Sequence, residues 1–281
     1  MNSKPKLLIA GGGYADIPLI KSAQRLGYHV ITTGNRPEDL GHGFSDESHL
    51  ADFSSCDEML ALAKRLDIDA ICPCCNDFSA ISSAYVAEQL DLKGHDSFDT
   101  TKLLHHKDTY RDFAIANDIP TPQARGYSDS ESAIRGLKDF HFPIMIKPID
   151  LSGGKGIAKV DNAEQANEAI LQAFSISKSK RVVVEEFVEG TNHGFSSLIK
   201  DGKVAFHFTD NEHYYLNKYM VSAASTPTLV PDTAISTLVE YSEKIVSLLK
   251  LSDGIFHVQF ILSGNEPIII EICRRPPGDL Y

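Results

Sequence analysis

The stretch that decides the fold is Phe142-Pro143-Ile144-Met145-Ile146-Lys147-Pro148, followed closely by Ser152-Gly153-Gly154-Lys155-Gly156. A β-branched, apolar run predicts a buried strand, and a lysine that closes such a strand needs an anionic partner. In the glycine-rich turn, backbone N–H groups can approach phosphate oxygens closely because no Cβ stands between them. Together the two segments indicate a nucleoside triphosphate site.

The turn at 152–156 differs from a P-loop. A P-loop ends in Gly-Lys-Ser/Thr and opens a helix, whereas Gly156 precedes Ile157-Ala158-Lys159-Val160, which predicts a second strand. A strand–turn–strand hairpin indicates a flap that folds over phosphates. The alternative for Lys147 is a surface side chain whose stem lies along apolar residues.

Two later stretches extend the site. Arg181-Val182-Val183-Val184-Glu185-Glu186 predicts a buried strand with an acidic end, which can offer backbone groups to an adenine edge and carboxylates to an amino group or a ribose. Near the C terminus, 257–260 and 268–275 predict paired strands. Gln259 and Glu271 then meet across the pair as oxygen ligands suited to Mg²⁺, and the planar fork of Arg275 suits a phosphoryl or carboxylate group.

A helix is predicted at 100–117, with a threonine cap at its start and Ile119-Pro120 beyond its end. It contains Lys107. The position of this lysine between the N-terminal third and Lys147 favours a role at the phosphates. The alternative is an ordinary pair with Asp108 on a solvated face.

This ordered series resembles the ATP-grasp family of carboxylate–amine ligases, in its carbamoyl-phosphate-synthase and biotin-carboxylase-like branch. The resemblance covers residues 6–279. It implies an ATP-grasp fold (α/β and α+β) with an N-terminal, doubly wound parallel-sheet domain. The implied domains are 1–100, 101–190 and 191–281. Because the chain stops soon after Arg275, we expect the last domain to be truncated and the chain to be a fragment.

The resemblance also implies a reaction. ATP, with Mg²⁺ or Mn²⁺, activates a small-molecule carboxylate as an acyl phosphate, and an amine then attacks to give an amide, ADP and phosphate. Lys147 and Arg275 are the implied catalytic residues, and Gln259 and Glu271 the metal ligands. The implied nucleotide-binding residues are Lys107, Lys147, Ser152, Gly153, Gly154, Lys155, Gly156, Glu185, Glu186, Phe187, Val188 and Asn192.

The chain departs from the family pattern at two positions. Relatives often carry a ribose-binding glutamate where this chain has Asn192, and an asparagine where it has Cys273. A neutral thiol is a poor Mg²⁺ ligand, so one coordination position passes to water, to phosphate oxygens or to a carboxylate such as Asp279. These departures keep a second interpretation open, a catalytically weakened nucleotide-binding module.

The N-terminal third alternates strands with helices, which predicts a parallel sheet covered on both faces. The predicted strands are 6–10, 29–33 and 69–72, and the predicted helices are 17–26 and 60–66. The turn Gly11-Gly12-Gly13 suggests a third interpretation, a dinucleotide-dependent enzyme, but Asp16 stands where G-x-G-x-x-G needs its last glycine. The resemblance instead implies that 11–14 lines the substrate side.

Cys72-Pro73-Cys74-Cys75 is a poor metal motif because three thiols within four residues cannot all reach one tetrahedral ion. It ends a predicted strand at the ligand edge of the sheet, so we expect the following Asn76 and Asp77 to contact substrate. We expect His257, beside Gln259, to pack in the core; the alternative is proton transfer.

Composition narrows the function classes. The net charge of −11 over 281 residues argues against general binding to nucleic acid or to anionic membranes. No apolar run is long enough to span a bilayer, and five cysteines without a framework spacing suit a reducing cytoplasm. The resemblance adds a homodimer as the expected assembly.

Overall fold

The computed structural model describes residues 4–151, 154–215, 217–276 and 278. Ser152 and Gly153 of the predicted flap, and Asp279, lie outside the described residues. Across the described ranges, no helix is both long enough and apolar enough to cross a bilayer.

The N-terminal part is a four-stranded parallel sheet in the order β3-β2-β1-β4. Its elements are β1 (Lys6–Ala10), α1 (Ile17–Arg25), β2 (His29–Gly34), β3 (Glu47–Leu50), α2 (Cys56–Leu66), β4 (Ala70–Pro73) and α3 (Asp77–Gln89). Leu8 and Ile9 are neighbours in β1, yet they are fully buried in two different core clusters. Helices therefore cover both faces, and the predicted doubly wound unit is confirmed.

The predicted single helix at 100–117 is wrong, because the chain forms α4 (Phe98–His105) and α5 (Lys107–Ala116) with extended backbone at His106. The first cap is Ser97, whose side chain accepts from the N–H of Thr100. At the break, the Thr109 hydroxyl donates to the carbonyls of Leu103 and His106. The bond to Leu103 gives a donor to a carbonyl near the interrupted end of α4. Lys107 then lies in the first turn of α5.

The central part is a four-stranded antiparallel sheet in the order β5-β8-β6-β7. Its elements are β5 (Ala124–Tyr127), α6 (Ser130–Gly136), β6 (Ile144–Pro148), β7 (Ala158–Val160), α7 (Ala163–Ile176) and β8 (Val182–Glu186). The predicted hairpin of β6 and β7 is confirmed. In the turn between them Gly154 has φ +71°, and a Cβ there would lie 2.7 Å from Cβ of Tyr219, so only glycine fits this close contact.

The C-terminal part is a five-stranded antiparallel sheet in the order β11-β10-β9-β12-β13. Its elements are β9 (Thr191–Lys200), β10 (Lys203–His213), β11 (Ala223–Ser225), α8 (Asp232–Leu249), β12 (Gly254–Ser263) and β13 (Glu266–Cys273). Tyr110 of α5 and Leu238 of α8 share one core cluster with Phe256. This packing sets the position of α5, and so of Lys107, against the sheet. The domain division at 1–100, 101–190 and 191–281 stays a prediction.

Candidate active site

Two adjoining cavities lie where the three sheets meet. The hinge cavity, about 210 Å³, is lined by the end of β8 and by Lys147. The front cavity, about 380 Å³, is lined by Cys75, Asn76 and Asp77 after β4 and by Arg275. The described residues that line both cavities are Lys107, Ile157, Tyr214, Tyr219, Gln259 and Glu271. This shared wall joins the two cavities into one site.

Most residues predicted from the sequence gather on these walls. The hinge cavity collects Lys107, Lys147, Glu185, Glu186, Phe187, Val188, Asn192, Gln259 and Glu271. Arg275 and Gly154 line the front cavity. Lys155 is exposed, and neither it nor Gly156 is among the described residues that line either cavity.

A buried charge network stands behind the hinge cavity. Glu185 accepts at Oε2 from Nε (3.1 Å) and NH2 (3.0 Å) of Arg111, and at Oε1 from Nζ of Lys147. NH1 of Arg111 donates to the carbonyl of Ile270 in β13 (2.7 Å). Burial raises the pKa of Glu185, but the charges of Lys147 and Arg111 outweigh it and lower the pKa to about 2.

The sequence analysis missed Arg111. Its spacing offered one signal: it lies four residues after Lys107, and this places the two side chains on the same face of α5. The acidic hinge also makes contacts within the protein. The carboxylate of Glu185 is taken by two cations, and that of Glu186 accepts from the N–H and Nδ1 of His141 (both 2.9 Å). The hinge carboxylates are therefore engaged within the protein.

Lys147 keeps capacity for a ligand despite this pairing. An ammonium group has three donors, and Glu185 accepts one of them. Burial lowers the pKa of Lys147, and the nearby charge of Arg111 adds to this lowering against the opposing effect of Glu185. Lys147 therefore has donors left for anionic oxygens of a ligand.

The shared wall carries a second, half-buried pair. Nζ of Lys107 donates to Oε1 of Glu271 (3.0 Å). Burial lowers the pKa of Lys107, but Glu271 and Asp77 together outweigh this effect, and the pKa is raised. Lys107 is thus a half-buried cation. The alternative of a pair with Asp108 on a solvated face is wrong, because Asp108 instead binds Arg181.

Gln259 and Glu271 are directly paired across β12 and β13, as the sequence predicts. Nε2 of Gln259 donates to Oε1 of Glu212 (2.9 Å), which leaves its amide oxygen for a cation. Among the described residues, no cluster of three or more His, Cys, Asp or Glu side chains could hold a metal by itself. One carboxylate and one amide oxygen fit Mg²⁺ that arrives with a nucleotide, since Mg²⁺ commonly binds through one or two carboxylates plus substrate phosphates.

Asp77 organises the front cavity. Its Oδ1 accepts from Nε of Arg275 (2.8 Å) and contacts Nδ1 of His105 (3.1 Å). Burial raises the pKa of Asp77, but His105 and Arg275 outweigh this effect, so the pKa is well below its usual range. The strand-end position of Asn76 and Asp77 led us to expect them at a ligand edge, and both lie on the cavity wall.

Two further side chains of the front cavity, His257 and Cys273, are neutral. His257 is 4% exposed, as expected for core packing, and its Nδ1 lies 2.9 Å from Oγ of Ser196. Burial and the charge of Arg275 lower the pKa of His257 to about 4. Burial also raises the pKa of Cys273 well above its ordinary value, so this group stays a thiol and a poor metal ligand.

In the glycine turn after β1, the carboxylate of Asp16 occupies the backbone N–H groups. The N–H of Gly13 donates to Oδ2 of Asp16 (2.8 Å), and the N–H of Cys75 donates to Oδ1 (3.0 Å). None of residues 11–14 is among the described residues lining either cavity, so the expected substrate wall at 11–14 is wrong. The same carboxylate stands where a dinucleotide phosphate would bind.

Comparisons with known proteins agree with this geometry. The model of the ATP-grasp domain family matches residues 107–279, more than half of the chain. The formate-dependent phosphoribosylglycinamide formyltransferase of Erythrobacter litoralis is 25% identical over 96% of this chain and 70% of its own length.

Two solved structures share the fold. Phosphoribosylglycinamide synthetase from Anaerococcus prevotii has a TM-score of 0.73 and 24% identity, over 98% of this chain and 69% of that one. The biotin carboxylase domain dimer of Hydrogenobacter thermophilus 2-oxoglutarate carboxylase, in complex with MgADP, ADP and bicarbonate, has a TM-score of 0.79 and 19% identity, over 98% and 65%. The expected fold and the expected class, an ATP-dependent ligase, are confirmed. The chain belongs to the ATP-grasp family.

Proposed function

We propose that this protein binds ATP in the hinge cavity and uses it to activate a small-molecule carboxylate in the front cavity. The observation that carries the proposal is the shared wall, since Lys107, Gln259 and Glu271 line both cavities. A nucleotide held by the hinge at 185–188 directs its phosphates toward this wall. The γ-phosphoryl group then lies at the boundary with the second substrate.

Different side chains bind the phosphates and the metal ion. Lys147 and Lys107 donate to phosphate oxygens, and Gln259 and Glu271 would hold Mg²⁺. When bound, the metal supplies charge neutralisation on the transferred phosphoryl group. The flap between β6 and β7 contacts Tyr219 through Gly154. A closed flap excludes water, which protects an acyl phosphate from hydrolysis.

The chemistry follows in two balanced steps. A carboxylate oxygen of the substrate attacks the γ-phosphorus, the bond from that phosphorus to the β–γ bridging oxygen breaks, and ADP leaves. An amine then attacks the acyl carbon and its surplus proton passes to solvent. The bond from the acyl carbon to the bridging oxygen breaks, and inorganic phosphate leaves with that oxygen, which came from the substrate carboxylate. Arg275 lines the front cavity, where its guanidinium would hold the carboxylate and then the acyl phosphate.

A second candidate is a nucleotide-binding module with weakened catalysis. Two observations favour it: Asn192 lines the hinge cavity in place of a carboxylate, and Cys273 stays a protonated thiol at the metal strand. It predicts MgATP binding without acyl phosphate formation. The expected homodimer and the cytoplasmic location stay predictions.

The first test is calorimetric binding of a non-hydrolysable ATP analogue, with and without Mg²⁺. We expect Mg²⁺-dependent binding by the wild type and its loss in Lys147→Ala. Lys138→Ala is the matched control and should bind like the wild type. It removes an exposed lysine between α6 and β6 of the central part. Equal affinity of the wild type and Lys147→Ala would refute the assignment of the hinge cavity.

The second test separates the two candidate functions. Hydroxylamine intercepts an acyl phosphate as a hydroxamate, so the chain is incubated with MgATP, hydroxylamine and a panel of carboxylic acids. A hydroxamate that forms only in the presence of ATP supports the ligase. Binding of the analogue without any hydroxamate across the panel supports the weakened module.

A further inference from the structure

His105 is the last residue of α4, and its ring lies between the N-terminal part of the chain and the end of β13. Its side chain is 1% exposed. A buried imidazole needs hydrogen-bond partners for its ring nitrogens, because burying a polar group without a partner is costly. Both ring nitrogens of His105 have such a partner, Asp77 for Nδ1 and Arg274 for Nε2.

These partners determine which ring nitrogen of His105 carries the proton. The backbone N–H of Arg274 lies 3.4 Å from Nε2, and an amide N–H can only donate. Nε2 is therefore the acceptor. In a neutral imidazole the other nitrogen then carries the proton, so Nδ1 donates to Oδ1 of Asp77 (3.1 Å). The ring is thus a neutral bridge with one accepting and one donating nitrogen.

Both ends of this bridge belong to the immediate surroundings of Arg275. At one end the ring binds the backbone of Arg274, the preceding residue. At the other end it binds Asp77, whose Oδ1 also accepts from Nε of Arg275 (2.8 Å). His105 therefore contacts the chain at the base of Arg275 and the carboxylate that holds its guanidinium group.

The side chain of Arg274 is engaged within the protein. Its Nε donates to Oδ2 of Asp96 (2.7 Å), its NH2 to the carbonyl of Ser252 (2.6 Å) and its NH1 to that of Ile255 (2.5 Å). The side chain is 8% exposed. Arg274 is therefore a fixed anchor, and the backbone N–H that His105 binds belongs to that anchor.

Arg275 differs from Arg274 because it keeps donor capacity for a ligand. Nε and NH1 bind Asp77 and the carbonyl of Pro276, whereas NH2 has no hydrogen bond to a described residue. The terminal torsion of an aspartate is broad, so a second donor, from His105, restricts how the carboxylate of Asp77 can turn. A donor that is oriented in advance stabilises developing charge without the cost of reorganisation.

We propose that His105 is a positioning residue for Arg275, which it holds through Asp77 and through the backbone of Arg274. The catalytic consequence rests on the proposed function, in which Arg275 binds the substrate carboxylate and the acyl phosphate. A histidine that only packed between the helix and the sheet would stabilise the fold without orienting Arg275.

Two variants of His105 separate orientation from packing. The amide of asparagine takes the place of Nδ1, so His105→Asn can still donate to Asp77. The amide of glutamine takes the place of Nε2, so His105→Gln can accept from the N–H of Arg274 but loses the bond to Asp77. Only the second variant should release the guanidinium group of Arg275.

The orientation is measured on the full chain by proton–nitrogen correlation spectra of the histidine rings and of the arginine Nε–H groups. The wild type should show His105 with a protonated Nδ1 and an Arg275 Nε–H that exchanges slowly with water. His105→Asn should keep the slow exchange. His105→Gln should speed it about fivefold, as expected for the loss of one hydrogen bond. Arg275→Lys identifies the arginine signal.

His49→Asn is the matched control for these spectra. His49 also contacts a carboxylate, that of Glu47, but neither residue is among the described residues that line the two cavities. The Arg275 signal should therefore not change. A protonated Nε2 of His105 in the wild type overturns the proposal, and so does equal exchange in the wild type and His105→Gln. Because the tautomer is read in the wild type, the proposal stays testable if His105→Gln does not fold.

The catalytic consequence is measured as hydroxamate formation from MgATP, hydroxylamine and an acid that the wild type activates. In His105→Gln, kcat should fall about 10- to 100-fold, while KM for MgATP and affinity for the ATP analogue stay unchanged. In His105→Asn, kcat should stay close to that of the wild type. Equal losses of kcat in the two variants would overturn the positioning role.

The positioning role and the proposed function fail in different ways. Loss of analogue binding by the wild type, or no hydroxamate from any acid, counts against the proposed function, and the spectra of His105 and Arg275 still decide the positioning role. Wild-type hydroxamate formation by His105→Gln would instead leave the proposed function intact and overturn the positioning role.

Discussion

The two carboxylates that organise the site, Glu185 and Asp77, each hold an arginine, but they differ in enclosure. Glu185 and Arg111 are 2% and 1% exposed and are backed by β13. The side chains of Asp77 and Arg275 are 21% and 14% exposed on the wall of an open cavity. Water cannot replace a lost partner in the first network, whereas water or a ligand can do so in the second. Enclosure therefore makes the Glu185–Arg111 pair structural, whereas the Asp77–Arg275 pair can exchange partners with substrate.

The largest loss of unfolding free energy is expected from Glu185→Gln. This variant leaves Arg111 and Lys147 as buried cations without a counter-charge. Breaking a buried pair by removing one partner costs about 3–5 kcal/mol. Glu186→Gln is the matched control because its partner, His141, is almost fully solvated, and exposed pairs contribute about 0–1 kcal/mol. Urea unfolding of both variants measures the difference. Similar losses of unfolding free energy in the two variants would show that enclosure does not determine how much each pair stabilises the fold.

Lowering the pH tests the stabilising effect of Glu185 in a second way. Glu185 has a pKa of about 2 in the folded protein against 4.5 ordinarily. A depressed folded pKa contributes stability that is fully present above the unfolded value and is lost as the pH falls through the folded one. The stability difference between wild type and Glu185→Gln should therefore shrink between about pH 4.5 and about pH 2. Urea midpoints across this range test it, and a constant difference would contradict the assigned pKa.

A smaller loss of unfolding free energy is expected at the front cavity. Asp77→Ala removes the acceptor of Arg275 and His105, and hydrogen bonds to charged groups contribute about 1.5–3 kcal/mol. Water from the cavity can solvate Arg275, so the loss of unfolding free energy should stay below that of Glu185→Gln. Affinity for the ATP analogue should not change, because Asp77 is absent from the described wall of the hinge cavity. A loss larger than that of Glu185→Gln would reverse the comparison, and exposed Asp99→Ala is the control.

The smallest effect concerns the orientation of Gln259. Glu212 accepts from Nε2 of Gln259 and also from the hydroxyl of Tyr214 (2.6 Å). Losing one hydrogen bond costs about 1 kcal/mol, so Glu212→Ala should weaken Mg²⁺ binding with the ATP analogue about fivefold. Glu212→Gln keeps an acceptor oxygen and should bind Mg²⁺ as the wild type does. Calorimetric Mg²⁺ titrations decide this, and equal affinities for wild type and Glu212→Ala would remove Glu212 from the site.

Local patterns were enough for much of the fold. Alternating strands and helices predicted the parallel sheet, and the apolar run closed by Lys147 predicted the hairpin of β6 and β7. The spacing of Gln259 and Glu271 around a short turn predicted their direct pairing. These predictions succeed because hairpin register and strand periodicity depend on neighbours in the chain. The order of the motifs was likewise enough to indicate the family.

The partners of the buried charges were decided by tertiary structure. Arg111 and Glu185 are 74 residues apart, and Asp77 and Arg275 are 198 apart, so no local pattern connects them. The break at His106 and the carboxylate of Asp16 inside a glycine turn depend in the same way on bonds that form only when the segments pack. A buried charge takes whichever opposite charge the packed elements bring within reach, and this is settled only when distant segments meet.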